Sequence, residues 1–299
     1  MVPSQQLPAA GRLEVIGTPI GNLGDLTPRA REALAGADLI AAEDTRRTSA
    51  LLAAIGITGK LVSLHEHNEA SRIEALLAEL KGGRNVALVS DAGTPLLSDP
   101  GYALVCAAAA AGIEVRAVPG ASALTAALSI AGLPTDRFAF EGFLPARAGE
   151  RRTALERLAG ETRTLVLFEA PHRIVATLED LARLFGAQRR AVIARELTKL
   201  HEAVYRGTLP QLAAAAHADP NMARGEITLL IQGAEPAPAG SDRALLARTL
   251  RLLLAELPPG RAAALAAQIA GATRGEAYAL ARQLRAEESG APRLDSDHG

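Results

Sequence analysis

The chain reads as an α/β protein in two domains followed by a helical appendage, and three observations carry that reading. Short β-branched or aliphatic runs alternate with helical patterns through the first 140 residues. A polar stretch at 145–152 then interrupts the pattern, and beyond it the last strands follow one another on shorter connections. Finally, a segment rich in Ala, Pro and Gly (233–240) precedes a run, 241–287, that is helical throughout in its pattern. The expected division is an N-terminal α/β domain at 11–140, a second α/β domain at 141–233 and a helical module at 241–287.

In chain order, 12–16, 38–42, 60–64, 85–90 and 114–118 read as strands, because each is short, aliphatic and bounded by Gly, Asp or Pro. A helix starts at Thr27 with Pro28 in its first turn. Another begins near Asn68 or Ser71, where Ser71 and Glu74 have capping-box spacing. Strand–helix alternation of this kind builds a mostly parallel sheet with helices on both faces. The stretch 145–152 reads as a linker or mobile loop. In the second half 164–169, 191–195, 203–207 and 226–231 read as strands with two helices among them, the last three antiparallel. Thr273 and Glu276, just past Gly271, again have capping-box spacing. The final dozen residues read as disordered, and there is no internal repeat or coiled-coil pattern.

With 299 residues, 48% of them hydrophobic, the chain has ample material for a core. No apolar run is long enough for a membrane span, and the first ten residues lack the basic and apolar regions of a signal peptide. A single cysteine, Cys106, points to a reducing cytoplasm. The balance of 32 basic and 33 acidic residues makes no global case for nucleic acid, so any grip on it has to be local.

In parallel sheets ligands bind beyond the carboxyl ends of the strands, so the loops there are the candidates for chemistry. Gly17-Thr18-Pro19-Ile20-Gly21-Asn22-Leu23-Gly24-Asp25 follows the first strand. It is neither G-x-G-x-x-G nor a P-loop. Ser90-Asp91-Ala92-Gly93-Thr94-Pro95-Leu96-Leu97-Ser98-Asp99-Pro100-Gly101 follows the fourth; it makes a rigid polar rim in which Asp99 reads as the cap of the next helix. Pro119-Gly120-Ala121-Ser122 follows the fifth. Its Gly-x-Ser pattern lacks the second glycine of a nucleophile elbow, since Ala123 stands there.

These three loops resemble the methyl-donor loops of the tetrapyrrole-methylase superfamily. Further segments resemble its branch of ribosomal RNA cytidine 2′-O-methyltransferases: Ala42-Glu43-Asp44-Thr45-Arg46-Arg47-Thr48, Leu64-His65-Glu66-His67-Asn68-Glu69, Phe168-Glu169-Ala170-Pro171-His172-Arg173 and Ala194-Arg195-Glu196-Leu197-Thr198-Lys199. The resemblance covers about 11–287. It implies the two-domain class III methyltransferase fold, S-adenosyl-L-methionine in the cleft between the domains, no metal, a homodimer, and 16S rRNA of the small ribosomal subunit as partner. By motif position, Pro19, Ile20, Asp91, Ala92, Gly93, Thr94, Pro95, Leu96, Ala121 and Ser122 line the cofactor from the first domain. Phe168, Glu169, Glu226, Ile227 and Thr228 close it from the second. His65 and His67 share a strand face, but without a third separated ligand a polar substrate rim is favoured over a metal site.

Methyl transfer to a ribose hydroxyl calls for a base, and Glu43, Asp44, Glu66 and Glu169 stand near strand ends. Asp44 is the candidate carried forward, its alternative being a cap for the helix at Thr45. Arg46, Arg47, Arg147, Arg151, Arg152, Arg195 and Lys199 are the candidates for RNA phosphates, their alternative being ion pairs with nearby acids. With aromatics at 3%, a shaped ribosomal particle suits the chain better than a single strand held by stacking. The tail, 261–271 then 273–284, has helix-turn-helix order; Arg274, Arg282 and Arg285 face RNA, or the module packs or stabilises a dimer. The alternatives to an rRNA methyltransferase are a small-molecule methyltransferase of the same fold and a non-enzymatic regulator that binds the methyl donor.

Overall fold

The runs Val86–Val89 and Ile227–Ile231 are buried at every position, and each is the central strand of a five-stranded sheet. Only a strand covered on both faces tolerates an unbroken aliphatic run. The structure, a computed structural model, describes residues 11–65, 68–235 and 243–288. The expectations for the first ten residues, for Glu66 and His67, for most of the 233–240 segment and for the chain end lie outside them.

In order, the first half comprises β1 (Arg12–Ile16), α1 (Pro28–Gly36), β2 (Leu39–Ala42), α2 (Thr45–Ala54), β3 (Leu61–Ser63), α3 (Glu69–Lys81), β4 (Val86–Val89), α4 (Tyr102–Ala110), β5 (Glu114–Val118) and α5 (Ala123–Ala131). The second half comprises β6 (Phe138–Phe143), α6 (Ala148–Leu158), β7 (Thr164–Glu169), α7 (Ile174–Phe185), β8 (Arg190–Arg195), β9 (Ala203–Thr208), α8 (Leu209–Ala218) and β10 (Ile227–Ile231). The helices α9 (Arg243–Glu256), α10 (Pro259–Ala270) and α11 (Arg274–Glu288) follow.

The first sheet runs β3-β2-β4-β1-β5 with all pairs parallel, and separate apolar clusters cover its two faces. The second runs β6-β7-β10-β8-β9; β6 and β7 are parallel and the remaining pairs antiparallel, as the short connections suggest. Between the sheets lies α5, whose Leu124, Ala127 and Leu128 pack with Val166, Val192 and Leu230 of the second sheet. The pair forms one compact unit, residues 1–234, and the helical segment a second, 235–299, with its own core of Leu246, Leu250, Ala266, Ala277 and Leu284.

Two expectations change. Phe138–Phe143 is a strand, β6, that the sequence reading passed over, so the division expected after residue 140 falls inside a strand of the second sheet. Its alternation is broken by a register shift between Phe140 and Gly142, where φ of +63° places one residue out of step. The stretch 145–152, expected as a linker, is mostly the first turns of α6. That helix is fixed by Arg151, 5% exposed, which pairs with Asp180 of α7 at 2.8 Å.

Side-chain caps fix several helix starts. Thr27 accepts from the N–H of Ala30 and precedes Pro28. The Thr273–Glu276 box closes in both directions, at 2.9 and 3.2 Å. For α3 the flanking residue is Asn68 rather than Ser71. Asp99, expected to cap α4, does not. The Oε1 of Glu69 accepts from the N–H groups of Gly101 and Ala103, at 3.2 and 3.1 Å, and caps α4 from the start of α3.

Candidate functional site

The loops after β1, β4 and β5 are tied into one rim. Thr18 and Gly93 exchange backbone hydrogen bonds at 2.9 and 3.1 Å, and the Thr94 hydroxyl donates to the carbonyl of Ala121 at 3.2 Å. Gly17 and Gly120 meet backbone to backbone: a Cβ on Gly120 would lie 2.4 Å from the carbonyl oxygen of Gly17. The chain after Gly93 then turns sharply, with Leu96 at φ +73° and Ser98 at φ +66°. Left-handed conformations cost non-glycine residues about 1–3 kcal/mol each and persist where the surroundings hold them. Here Leu96 packs against the core of the first sheet, and the Ser98 hydroxyl sits over Gly142, where a Cβ would come within 2.7 Å of it.

The result is a cleft of about 440 Å³. Ile20, Asp91–Thr94, Leu97–Asp99, Ser122 and Ala123 line it from the first half, with Glu43 and Arg47 at the β2 end. Phe143, Phe168–Pro171, Ala194, Leu197 and Gly225–Thr228 line it from the second. Of the residues the resemblance assigns to the cofactor, Ile20, Asp91, Ala92, Gly93, Thr94, Ser122, Phe168, Glu169, Glu226, Ile227 and Thr228 are on this wall. Pro19, Pro95, Leu96 and Ala121 stand behind it: Pro95 is buried, and Ala121 holds Thr94 through its carbonyl. The sequence reading missed Leu97, Ser98, Asp99, Phe143, Ala170, Pro171, Ala194 and Leu197. Phe143 belongs to the unread strand, and it packs with Phe140 around Phe168, at ring separations of 5.6 and 5.0 Å.

The volume lies within the range of small-molecule sites. The wall is apolar at Ile20, Leu97, Phe143, Phe168 and Ile227, small at Ala92, Gly93 and Ala123, and acidic at Glu43, Asp91, Asp99, Glu169 and Glu226. At Gly93, φ is +84° and a Cβ would stand 3.3 Å from Ile20, so only glycine leaves this approach open. Those features suit a purine nucleoside carrying an amino-acid chain, whose ammonium group an acidic edge favours.

The carboxylates divide by what they already hold. Asp91 accepts from the N–H of Asp44 at 2.9 Å and pairs with Arg47 at 3.3 Å, fixing the β2–α2 turn to the rim. Asp44 caps α2 through the N–H of Arg46 and takes that side chain in a two-point pair at 3.0 and 2.7 Å. These bonds from Arg46 hold its carboxyl far below the usual range, so the expected base is a cap and ion-pair residue with little appetite for a proton. Glu169, 3% exposed, accepts from Thr177 at 2.6 Å and pairs with Arg173 at 3.0 Å. Glu226 pairs with Lys199 at 3.1 Å, and Lys199 with Glu196 at 2.8 Å. Asp99 differs: burial pushes it up to about 6, the Ser90 hydroxyl opposing and the charges of Glu43 and Asp91 adding. Among the described residues it makes no ion pair.

The cationic candidates separate as well. Arg46 and Arg47 are 89% and 67% exposed on the β2–α2 turn. Arg147 and Arg152 are exposed on α6 and its approach, Arg147 beside Glu150 at 3.2 Å. Arg151 and Arg195 are corrections: both are buried, Arg151 spent on Asp180 and Arg195 donating to the carbonyl of His201 at 3.2 Å, so neither presents a guanidinium to RNA. Lys199 lays its stem over Gly21, where a Cβ would be 2.3 Å from its Cγ, and ties the first loop to the second half through Glu196 and Glu226. Among the described residues no group of three His, Cys, Asp or Glu is placed to hold a metal, and no helix is long and apolar enough to cross a membrane.

Residues 12–213 match the family model of the Tetrapyrrole (Corrin/Porphyrin) Methylases, and 240–285 that of the RsmI C-terminal HTH domain. A protein of Xylella fastidiosa described as ribosomal RNA small subunit methyltransferase I is 52% identical over 271 residues, 90% of this chain and 98% of that one. Its namesake in Escherichia coli O157:H7 is 49% identical, over 91% and 94%. Among solved structures, the methyltransferase CobJ aligns with a TM-score of 0.56 at 24% identity over 77% of this chain and 98% of that one. Diphthine synthase aligns at 0.54 and 19% identity, over 74% and 89%.

Proposed function

The chain belongs to the tetrapyrrole (corrin/porphyrin) methylases and, within them, to the ribosomal RNA small subunit methyltransferase I family; on that premise we propose that it methylates the ribose 2′-hydroxyl of a cytidine in the decoding region of 16S rRNA. It is an S-adenosylmethionine-dependent rRNA methyltransferase of the class III fold. The cytidine and its 2′-oxygen are the finer part of the reading: the nucleotide follows from the family likeness, and a carboxylate on the cleft wall supports the hydroxyl oxygen as acceptor.

S-adenosylmethionine supplies a methyl carbon activated by its sulfonium. The protein's part is to present a hydroxyl oxygen in line with that carbon, and positioning of this kind supplies at most about 7–11 kcal/mol. Ile20, Gly93, Ser122, Phe168 and Thr228 would hold the donor, with Phe143 at the open edge. A ribose hydroxyl is a weak nucleophile until its proton leaves. Asp99 is the group to take it: it faces the cleft, it is not neutralised by an arginine, and a proton affinity near 6 suits a base at neutral pH. Arg46 and Arg47, exposed beside the same rim, would position the target's phosphates. The protein is proposed to act in the cytoplasm as a homodimer; the outer side of α4, with Tyr102, Cys106 and Ala109 exposed and no charged residue along the helix, supports a second copy seated there.

The observation that carries the reading is a carboxylate, Asp99, on the cleft wall with no ion pair among the described residues. The test is turnover with labelled methyl donor on small subunits lacking the modification. A 2′-O-methyl group blocks alkaline cleavage at its own nucleotide, and a methyl on the base does not. Asp99→Asn should lower kcat by roughly 10²- to 10⁴-fold while donor affinity holds. Product RNA that remains cleavable at every cytidine would overturn the ribose assignment. Full turnover by the variant would remove Asp99 from it.

A further inference from the structure

The turn between β8 and β9 is built at a conformational cost. Glu196 and Thr198, neither of them glycine, have φ of +52° and +66°. Such residues stay in the left-handed region only where their surroundings hold them there. Two carboxylates do so here. The Oε1 of Glu196 accepts from the N–H of Glu226 at 2.8 Å, while the N–H of Glu196 donates to the carbonyl of Glu226 at 2.9 Å. The Oε2 of Glu202 accepts from the N–H of Thr198 at 2.6 Å. Gly225 leaves room for the first of these, since a Cβ there would stand 2.4 Å from the Oε1 of Glu196. The turn so held presents Leu197, 7% exposed and on the cleft wall, and Lys199 two residues on.

Leu197 and Lys199 meet the first rim loop together. Leu197 shares an apolar cluster with Ile20, and both line the cleft. Beside them the Lys199 stem covers Gly21 so closely that a Cβ there would fall 2.3 Å from its Cγ and 2.8 Å from its Cε. Its ammonium group then reaches Glu196 at 2.8 Å and Glu226 at 3.1 Å. One side chain therefore joins the loop after β1, the β8–β9 turn and the entry of β10. Each of those three points adjoins a residue of the cleft wall: Ile20, Leu197 and Ile227. The Lys199 side chain is 26% exposed, far less than those of Arg46 and Arg47, and two carboxylates already meet its charge. A lysine so engaged is a poor ligand for phosphate.

We propose that Lys199 is a positioning residue for the methyl donor: it latches the Gly17–Asp25 loop to the β8–β9 turn and to the entry of β10, and so sets the spacing of Ile20, Leu197 and Ile227 across the cleft. The proposal rests on the donor reading of the cleft and adds what fixes its width. It moves Lys199 from the RNA side, where the sequence placed it, to the donor side. A wall already held at its bound spacing has less freedom to lose when the donor enters, so the latch is expressed as affinity. Lys199 does not line the cleft itself, so it acts through its neighbours. Its loss falls on the donor KM more than on kcat, the pattern of an interaction that serves ground state and transition state alike.

The experiment uses the full-length protein with Lys199→Ala, Lys199→Arg, Gly21→Ala, and Gly21→Ala combined with Lys199→Ala. S-adenosylmethionine affinity is measured by calorimetry without RNA, then the donor KM and kcat on small subunits, subunit binding across a salt series, and the thermal midpoint without donor. Lys199→Ala should bind the donor roughly tenfold more weakly, with KM raised more than kcat is lowered and the salt slope of subunit binding unchanged. Lys199→Arg, which restores stem and charge, should recover part of that affinity. Gly21→Ala displaces the stem, so it should weaken donor binding when Lys199 is present and add little when it is absent. Unchanged donor affinity in Lys199→Ala overturns the proposal, and so do additive effects of the two alanine changes. A salt slope shallower by about 1 with donor affinity intact would return Lys199 to the phosphates. Affinity and kcat falling in parallel with a lowered midpoint, none of them restored by arginine, would reduce it to a support of the fold. Because the affinity is read without RNA, a wild-type protein that binds the donor and leaves subunits unmethylated would overturn the rRNA activity and not the latch.

Discussion

Asp99 carries an energetic signature as well as a chemical one. Its proton affinity in the fold is raised to about 6, by burial first and by Glu43 and Asp91 after it. Above that pH the carboxylate is charged in both folded and unfolded chains, and the fold bears the penalty of the buried charge; below the ordinary carboxylate range it is neutral in both and the penalty vanishes. Asp99→Asn should therefore be at least as stable as wild type at pH 8, with a melting difference that shrinks as the pH falls from 6 to 4. A variant less stable at pH 8 than at pH 4, relative to wild type, would show that the carboxylate is held by bonds rather than merely desolvated. Gly93 presents the opposite case, where backbone decides. With φ at +84° and Ile20 3.3 Å from any added Cβ, Gly93→Val forces both strain and obstruction. Calorimetry should show methyl-donor affinity reduced tenfold or more, and an unaltered value would take this loop out of the cofactor wall.

At the level of elements, neighbouring residues of one type have different fates. Arg151 faces α7 and is enclosed with Asp180, while Arg152 points to solvent one position on. Arg183 pairs with Asp180 as well, so the loss of Arg151 leaves that carboxylate one cation and costs less than the about 3–5 kcal/mol of an unpaired buried charge. Arg151→Ala should still lower stability by more than about 1 kcal/mol, and Arg152→Ala should stay within about 0.5 kcal/mol. Similar losses in both would mean that α6 is not anchored by this pair. The start of α4 depends likewise on a residue 32 positions before Gly101: Glu69 supplies the cap at Gly101 and Ala103, and the chain between the rim and that cap contains Asp99. Glu69→Ala should cost about 1 kcal/mol of stability, with Glu69→Gln recovering part of it. Turnover should fall more than donor affinity, because the loosened turn carries the base.

Across the whole molecule the two compact units have separate cores, and the cleft belongs to one of them. A methyl donor that binds the two-sheet unit adds stability to that unit alone, about 2.7 kcal/mol at a concentration one hundred times its dissociation constant. Hydrogen exchange followed with and without S-adenosylmethionine should slow in β1, β4, β7 and β10, while α9 to α11 exchange at an unchanged rate. Equal protection of the helical unit would mean that the two share one unfolding event.

Much of this was legible before any coordinates. The five strands of the first sheet, the antiparallel run of the second half, the caps at Thr27 and Thr273 and the three rim loops all rest on local signals: aliphatic runs, small residues at turns, and hydroxyl or carboxylate groups three residues from a partner. Such signals act within a few residues, so the sequence by itself determined them. β6 escaped because the bulge at Gly142 breaks the period of two, and with it went Phe143. The assignment of charged groups also had to wait. The identities of Asp44, Asp91, Asp99, Arg151 and Arg195 are plain in the chain, but their protonation and their partners depend on what lies across the fold: Arg47 beside Asp91, Asp180 beside Arg151, Glu69 in place of Asp99 at the cap. Burial and Coulomb interactions are properties of three-dimensional neighbours, and only the tertiary structure decided which carboxylate was already committed and which one faces the cleft.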